Sequence, residues 1–156
     1  EIRENARILL REIEEIKNWS LEQVEQIPQE RRKLVTSHDA FRYLGRDLGL
    51  EVIGLQGMST NVEAGLADRA NLVDFIKKQN IPAIFVETSV NPAAMHEIAK
   101  ESGVVIGGEL FSDALGSPGE SAIGPNGKSF ELDSWGGMMV HNVSTIVEAL
   151  AKRDHP

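Results

Sequence analysis

Ile2, Ala6, Leu9, Ile13 and Ile16 follow one another at alternating steps of four and three residues, with charged residues between them, which is the seam of a long amphipathic helix. Pro28 limits how far that helix runs, so positions 1–28 read as one helical strut and 29–156 as the domain that follows it. Beyond Pro28 the pattern changes. Short runs rich in Val, Ile and Phe, KLVTS (33–37), EVIGLQG (51–57), AIFVETS (83–89) and VVIGGEL (104–110), have the composition of buried parallel strands. Between them, 39–48, 63–79 and 92–102 carry apolar residues at helical spacing: Leu66, Ala70, Val73, Phe75 and Ile76 in the second, Ala94, Ile98 and Ala99 in the third. Gly49, Asn80, Pro82, Asn91, Pro92 and Gly103 stand where helices should stop or start. A last helix is predicted over 133–152, capped by Asp133 or Ser134, with Met138, Met139, Val143, Ile146, Val147 and Leu150 facing inward.

This strand and helix alternation predicts an α/β domain, a four-stranded parallel sheet of order 2-1-3-4 flanked by helices and preceded by the long N-terminal helix. The stretch 116–132, GSPGESAIGPNGKSFEL, breaks the pattern: it reads as a long loop, functional or mobile, with a tight hairpin turn at Asn126 and Gly127.

Composition narrows the function classes. A chain of 156 residues with 41% hydrophobic content supports one domain with a real core. Its net charge of −8 and the lack of any Lys/Arg-rich run argue against nucleic acid as a partner. With no cysteine there is no disulfide, no thiolate metal site and no redox couple. No apolar run reaches the roughly 18 residues of a membrane span. The sequence starts at Glu1 inside a helical pattern, without an initiator Met or a signal peptide, and is expected to be a processed or excised piece.

Open parallel sheets bind ligands beyond the carboxyl ends of their strands, where the strand order reverses. His38 directly follows the first strand, Glu87, Thr88 and Ser89 end the third, and Glu109, Ser112 and Asp113 end or follow the fourth. One imidazole and several carboxylates thus converge on one rim, as a metal or catalytic site requires. Each has a plainer reading: Ser37, His38 or Asp39 as a helix cap, Ser112 or Asp113 as the cap of a turn at SDALG, Glu87 as an acceptor for backbone amides. His96 and His141 fall within helices and His155 in the tail, where surface or packing roles are expected.

LVTSHDAFRYLGRDLGLEVIGLQG, IFVETSVNPAAM and GELFSDALG, in this order and spacing, with the leading helix and a closing GGMMVHNVSTIVEAL, closely resemble the C-terminal lobe of the metal-binding solute-binding proteins that feed zinc or manganese ABC importers, the cluster A-I family. The resemblance covers nearly the whole chain. It implies two lobes joined by one long rigid helix, with the metal held between them by two histidines of the N-terminal lobe and two ligands of the C-terminal lobe. By position those two ligands are His38 and Asp113; some members carry glutamate in place of the histidine. The N-terminal lobe and its two histidines are missing, so this chain holds half of the implied site. The resemblance further implies a periplasmic or otherwise extracytoplasmic location, a membrane subunit of an ABC transporter as partner, and no enzymatic activity. Imidazole suits zinc and carboxylate oxygen suits both metals, so the pair leaves Zn2+ and Mn2+ open. The free nitrogen of His38 needs an acceptor to fix it, for which Glu87, Glu109 or a backbone carbonyl are candidates. The half-bare N-terminal helix is expected to pack on a second copy or a crystal neighbour. Two other classes stay in view: a flavodoxin-like hydrolase or phosphoryl-transfer domain using His38 and Asp113, which lacks a phosphate loop and a nucleophile elbow, and an isolated interaction or scaffold module.

Overall fold

The computed structural model describes residues 1–56 and 66–152. His155, the start of the helix predicted from 63 and the end of the strand predicted to 57 lie outside the described residues. The first helix, α1 (Ile2–Val24), buries only its second half: Ile2 is 87% exposed, Leu9 53% and Ile16 1%, so the predicted seam is covered progressively toward its C-terminal end. A single 3-10 turn (Gln29–Arg31) then leads into β1 (Lys33–His38), α2 (Arg42–Leu48), β2 (Glu51–Gln56), α3 (Leu66–Gln79), β3 (Ala83–Glu87), α4 (Ala93–Ser102) and β4 (Val105–Leu110). Helices α2 and α4 both end at glycines with φ near +75°, Gly49 and Gly103, as the sequence punctuation predicts.

The strands form parallel ladders, but as two pairs: β1 with β2, and β3 with β4. Strands β1 and β3 lie side by side without a ladder between them among the described residues, so the strands of the expected four-stranded sheet stand here as two parallel pairs. Part of the reason is chemical: at the carboxyl end of this seam the His38 N–H donates to the Glu87 side chain at 3.0 Å instead of to a strand carbonyl. The β3–β4 ladder is itself interrupted, because its register skips Gly107 between the pairs Ile84–Ile106 and Phe85–Gly108. A Cβ on Gly107 would stand 2.7 Å from Ala149 Cβ and 2.9 Å from the Phe85 ring, so glycine is what allows the last helix to lie this close to the strand.

Alternate strand residues face two separate cores, as the period of two demands. Leu34, Phe85 and Leu110 pack with Val24, Ile27, Phe41 and Leu48 on one side, against Val143, Ile146 and Leu150 of the last helix, α5 (Trp135–Ala151). Val35, Ile84 and Val86 face Leu72, Val73 and Ile76 of α3 and Met95 and Ile98 of α4 on the other. Helix α5 begins at Ser134, whose Oγ accepts from the Gly137 N–H at 3.0 Å, the second of the two predicted caps. The stretch 116–132 is not simply a loop. It contains an antiparallel hairpin, β5 (Ser121–Ile123) and β6 (Ser129–Glu131), turned through Asn126 and Gly127, both at positive φ. Phe130 of that hairpin closes a third apolar cluster with Ile16 and Val140, tying hairpin, α1 and α5 together.

Candidate metal centre

His38 is the last residue of β1, and its backbone leaves the strand in a tight turn: the His38 carbonyl accepts from the Thr36 hydroxyl at 2.8 Å and from the Ala40 N–H at 3.0 Å. The helix-cap reading of this corner fails. The N-cap of α2 is Phe41 and makes no side-chain cap bond, while Asp39 pairs with Arg42. The ring of His38 is 4% exposed and lies between two carboxyl groups, one buried and one open. On the inner side Glu87 Oε2 sits 2.6 Å from Nδ1, off the line of the N–H, and on the outer side Asp113 Oδ2 sits 3.5 Å from Nε2.

Glu87 closes β3 and is the hub of the rim. With no exposure of its side chain, it accepts from the His38 N–H at Oε1 and from the Ser112 hydroxyl at Oε2, 2.7 Å away. Ser112 and Ser89 are in turn 2.9 Å apart through their hydroxyls. Buried carboxyl oxygens demand such partners, so this network is what lets Glu87 remain inside. Glu109 does not share the role. The register sets Glu109 opposite Val86 and Leu110 opposite Glu87, so parity sends the Glu109 side chain to the other face, where it is exposed. Its backbone carbonyl instead lies 2.9 Å from His141 Nε2, and the His141 ring packs on Phe111 at 4.9 Å between centroids. His96 is exposed on α4.

Asp113 stands in the turn after β4 with φ +55°, a left-handed conformation that aspartate tolerates better than most side chains. Its side chain is 68% exposed and faces a cleft of about 550 Å³ that it lines with His38, Asp39, Ala40, Arg42, Tyr43 and Arg46. The two arginines there are each tied to a carboxylate, Arg42 to Asp39 and Arg46 to Asp47 at 2.8 Å. The hydrogen bond from Arg46 holds the Asp47 carboxyl below its ordinary range, and the same bond raises Arg46. Pairing of this kind lowers the repulsion that a dication would meet in the cleft.

Of the residues picked from sequence, the fold thus gathers His38, Asp113 and Glu87, and leaves Glu109 outside. Sequence reasoning set Ser89 and Ser112 on the rim without their role behind Glu87, and it missed Asn142, whose amide holds the backbone of Phe111. A serine in a turn or an asparagine in a helix carries no local mark of such a partner. Among the described residues, no cluster of three or more His, Cys, Asp or Glu is arranged to hold a metal by itself.

Comparison with known proteins identifies the family. The family described as ZnuA, zinc-uptake complex component A periplasmic, matches residues 1–149. The manganese-binding lipoprotein MntA of Bacillus subtilis is 39% identical over 153 residues, which are 95% of this chain and 47% of that protein. The zinc-binding protein TroA of Treponema pallidum is 46% identical over 131 residues, 81% of this chain and 39% of that one. The solved structure of the periplasmic zinc-binding protein TroA from Treponema pallidum superposes with a TM-score of 0.84 at 38% identity, covering 94% of this chain and 51% of that one. The chain therefore spans about half the length, or less, of the relatives it matches. Matched by the family over almost its whole length, and sharing the fold and more than a third of its residues with TroA, the chain belongs to the zinc-uptake complex component A family.

Proposed function

We propose that this chain is the C-terminal lobe of a solute-binding protein that captures zinc or manganese ions outside the cytoplasm for an ABC importer, with His38 and Asp113 as this lobe's two metal ligands. In this reading residues 1–28 are the helix that joins the lobes, 29–156 are the metal-binding lobe, and the two parallel ladders act together as one four-stranded sheet of order 2-1-3-4. The ion is cargo to be released to the transporter's membrane subunit, not a catalytic centre, and the protein performs no turnover.

The observation that carries the proposal is the 3.5 Å between His38 Nε2 and Asp113 Oδ2. That distance is long for a hydrogen bond, yet two ligands each about 2.0–2.1 Å from a tetrahedral zinc stand roughly 3.4 Å apart. Glu87, beside Nδ1, would hold the proton on that nitrogen and leave the Nε2 lone pair toward the cleft, the usual task of a carboxylate behind a ligating histidine. Two further histidines from an N-terminal lobe would complete the coordination. The uncovered half of α1, with Ile2, Ile8, Leu9 and Leu10 exposed, would meet that lobe in the whole protein and a second copy in its absence.

Half a site binds weakly. Structural zinc sites with four protein ligands reach about 10–16 kcal/mol in peptide hosts, and two ligands forfeit much of that. Calorimetric titration with Zn2+ of the chain and of His38→Ala, Asp113→Ala, His96→Ala and His141→Ala tests the assignment. Loss of most binding in the first two variants and little change in the last two is expected. Undiminished binding in His38→Ala, with loss in His141→Ala, would refute it.

A further inference from the structure

The geometry points to Asn142 as a positioning residue for Asp113, acting from helix α5 through the backbone of Phe111; this inference rests on the reading of Asp113 as a metal ligand. The ladder between β3 and β4 ends at the pair Glu87–Leu110, with the Leu110 carbonyl accepting from the Thr88 N–H at 3.0 Å. One residue later the chain has left the sheet, and the N–H and C=O of Phe111 need other partners. Asn142 supplies both: its Oδ1 accepts from the Phe111 N–H and its Nδ2 donates to the Phe111 carbonyl, each at 2.9 Å. The orientation of the amide is not ambiguous, since a backbone N–H only donates and a carbonyl only accepts. The remaining Nδ2 hydrogen faces the Met138 sulfur at 3.4 Å, and the side chain is 1% exposed.

One asparagine therefore stands in for a missing neighbouring strand over a single residue. Two positions further on is Asp113, at φ +55°, a conformation that persists only where the surroundings fix it. Between them Ser112 is fixed by Glu87. The turn bearing the exposed ligand thus hangs from two buried anchors, Asn142 at Phe111 and Glu87 at Ser112, and Glu87 is also the group against the His38 ring. Asn142 is well placed for this because α5 is rigidly seated, with Gly107 and Gly108 of β4 admitting Ala149 and Thr145 at close range. Aspartate in its place would set a second acceptor against the Phe111 carbonyl; leucine, of the same shape, would leave both backbone groups bare.

The test uses this 156-residue chain, Mn2+ as the probe and the variants Asn142→Leu, Asn142→Asp, Asp113→Asn and the double variant Asn142→Leu/Asp113→Asn. In metal-free amide spectra, the Phe111 N–H of the wild type should exchange slowly, and the Asp113 backbone should show its left-handed signature and lose it in both Asn142 variants. Read from paramagnetic broadening of the His38 ring signals, the Mn2+ affinity of Asn142→Leu should fall roughly 10-fold, with no further fall when Asp113→Asn is already present. A folded Asn142→Leu with unchanged Asp113 backbone signals and unchanged affinity would overturn the inference. So would equal loss of affinity in both backgrounds, which marks a merely structural role. Should Asn142→Leu not fold, rapid exchange of the Phe111 N–H in the wild type, or an unchanged Asp113 backbone in Asn142→Asp, would overturn it. Unaltered Mn2+ binding in Asp113→Asn alone would refute the ligand assignment instead, while the metal-free backbone signals would still decide the role of Asn142.

Discussion

Replacing Glu87 with glutamine changes one buried atom's chemistry and should separate stability from metal binding. In the native chain Oε1 takes the His38 N–H at 3.0 Å, while Oε2 takes the Ser112 hydroxyl at 2.7 Å and stands 2.6 Å from His38 Nδ1. Glutamine keeps the carbonyl oxygen for the backbone N–H and puts an NH2 where Oε2 was. The Ser112 hydroxyl can turn to accept from that NH2, since Ser89 lies 2.9 Å away to receive its proton, so the cost is about one buried hydrogen bond, roughly 1–3 kcal/mol. For a domain of this size that is a fall in melting temperature of about 3–10 °C. The imidazole has no such escape. An NH2 facing Nδ1 favours the tautomer that carries its proton on Nε2, and a protonated Nε2 has no lone pair for a metal. Zinc affinity should therefore drop roughly 10- to 100-fold, the range found when the partner behind a ligating histidine is removed. Thermal unfolding followed by circular dichroism, together with calorimetric zinc titration of the same sample, measures both. A Glu87→Gln chain that melts lower but binds zinc as the wild type does would refute the role given to Glu87.

Gly107→Ala should destabilise the chain by about 1–3 kcal/mol in urea unfolding, because the new methyl meets Ala149 and the Phe85 ring at under 3 Å. Ser134→Ala removes the side-chain N-cap of α5 and should cost about 1 kcal/mol by the same measurement. Phe85→Ala, at a fully buried position between strand and α5, should cost about 3–5 kcal/mol. Zinc affinity should be lower at pH 5 than at pH 8, because a metal ligand must be deprotonated and protons compete with the metal.

Much of the architecture was legible in local pattern. The strand expected at 33–37 is found at 33–38, the helix expected at 92–102 at 93–102, and that expected at 133–152 at 135–151, since periodicity, Pro and Gly act within a few residues of where they stand. Pairing was less legible. Whether β1 and β3 join in one ladder depends on which group claims each backbone N–H at the seam, and at His38 a side chain 49 positions away claims it. The hairpin inside 116–132 was visible only at its Asn126 and Gly127 turn, because its two strands are three residues long and owe their place to Phe130 packing against Ile16 and Val140. At the rim, His38 and Asp113 came from strand ends and from resemblance, whereas the choice of Glu87 over Glu109 turned on register parity, which one skipped residue at Gly107 decides.

The central claim is that His38 and Asp113 hold one metal ion between them. Anomalous diffraction from crystals of this chain grown with zinc tests it directly. A zinc peak is expected at the mouth of the cleft, about 2.0–2.1 Å from His38 Nε2 and about 2.0–2.2 Å from an Asp113 carboxylate oxygen, with water or a neighbouring molecule in the other positions. A zinc peak on His96 or His141, with none between His38 and Asp113, would contradict it.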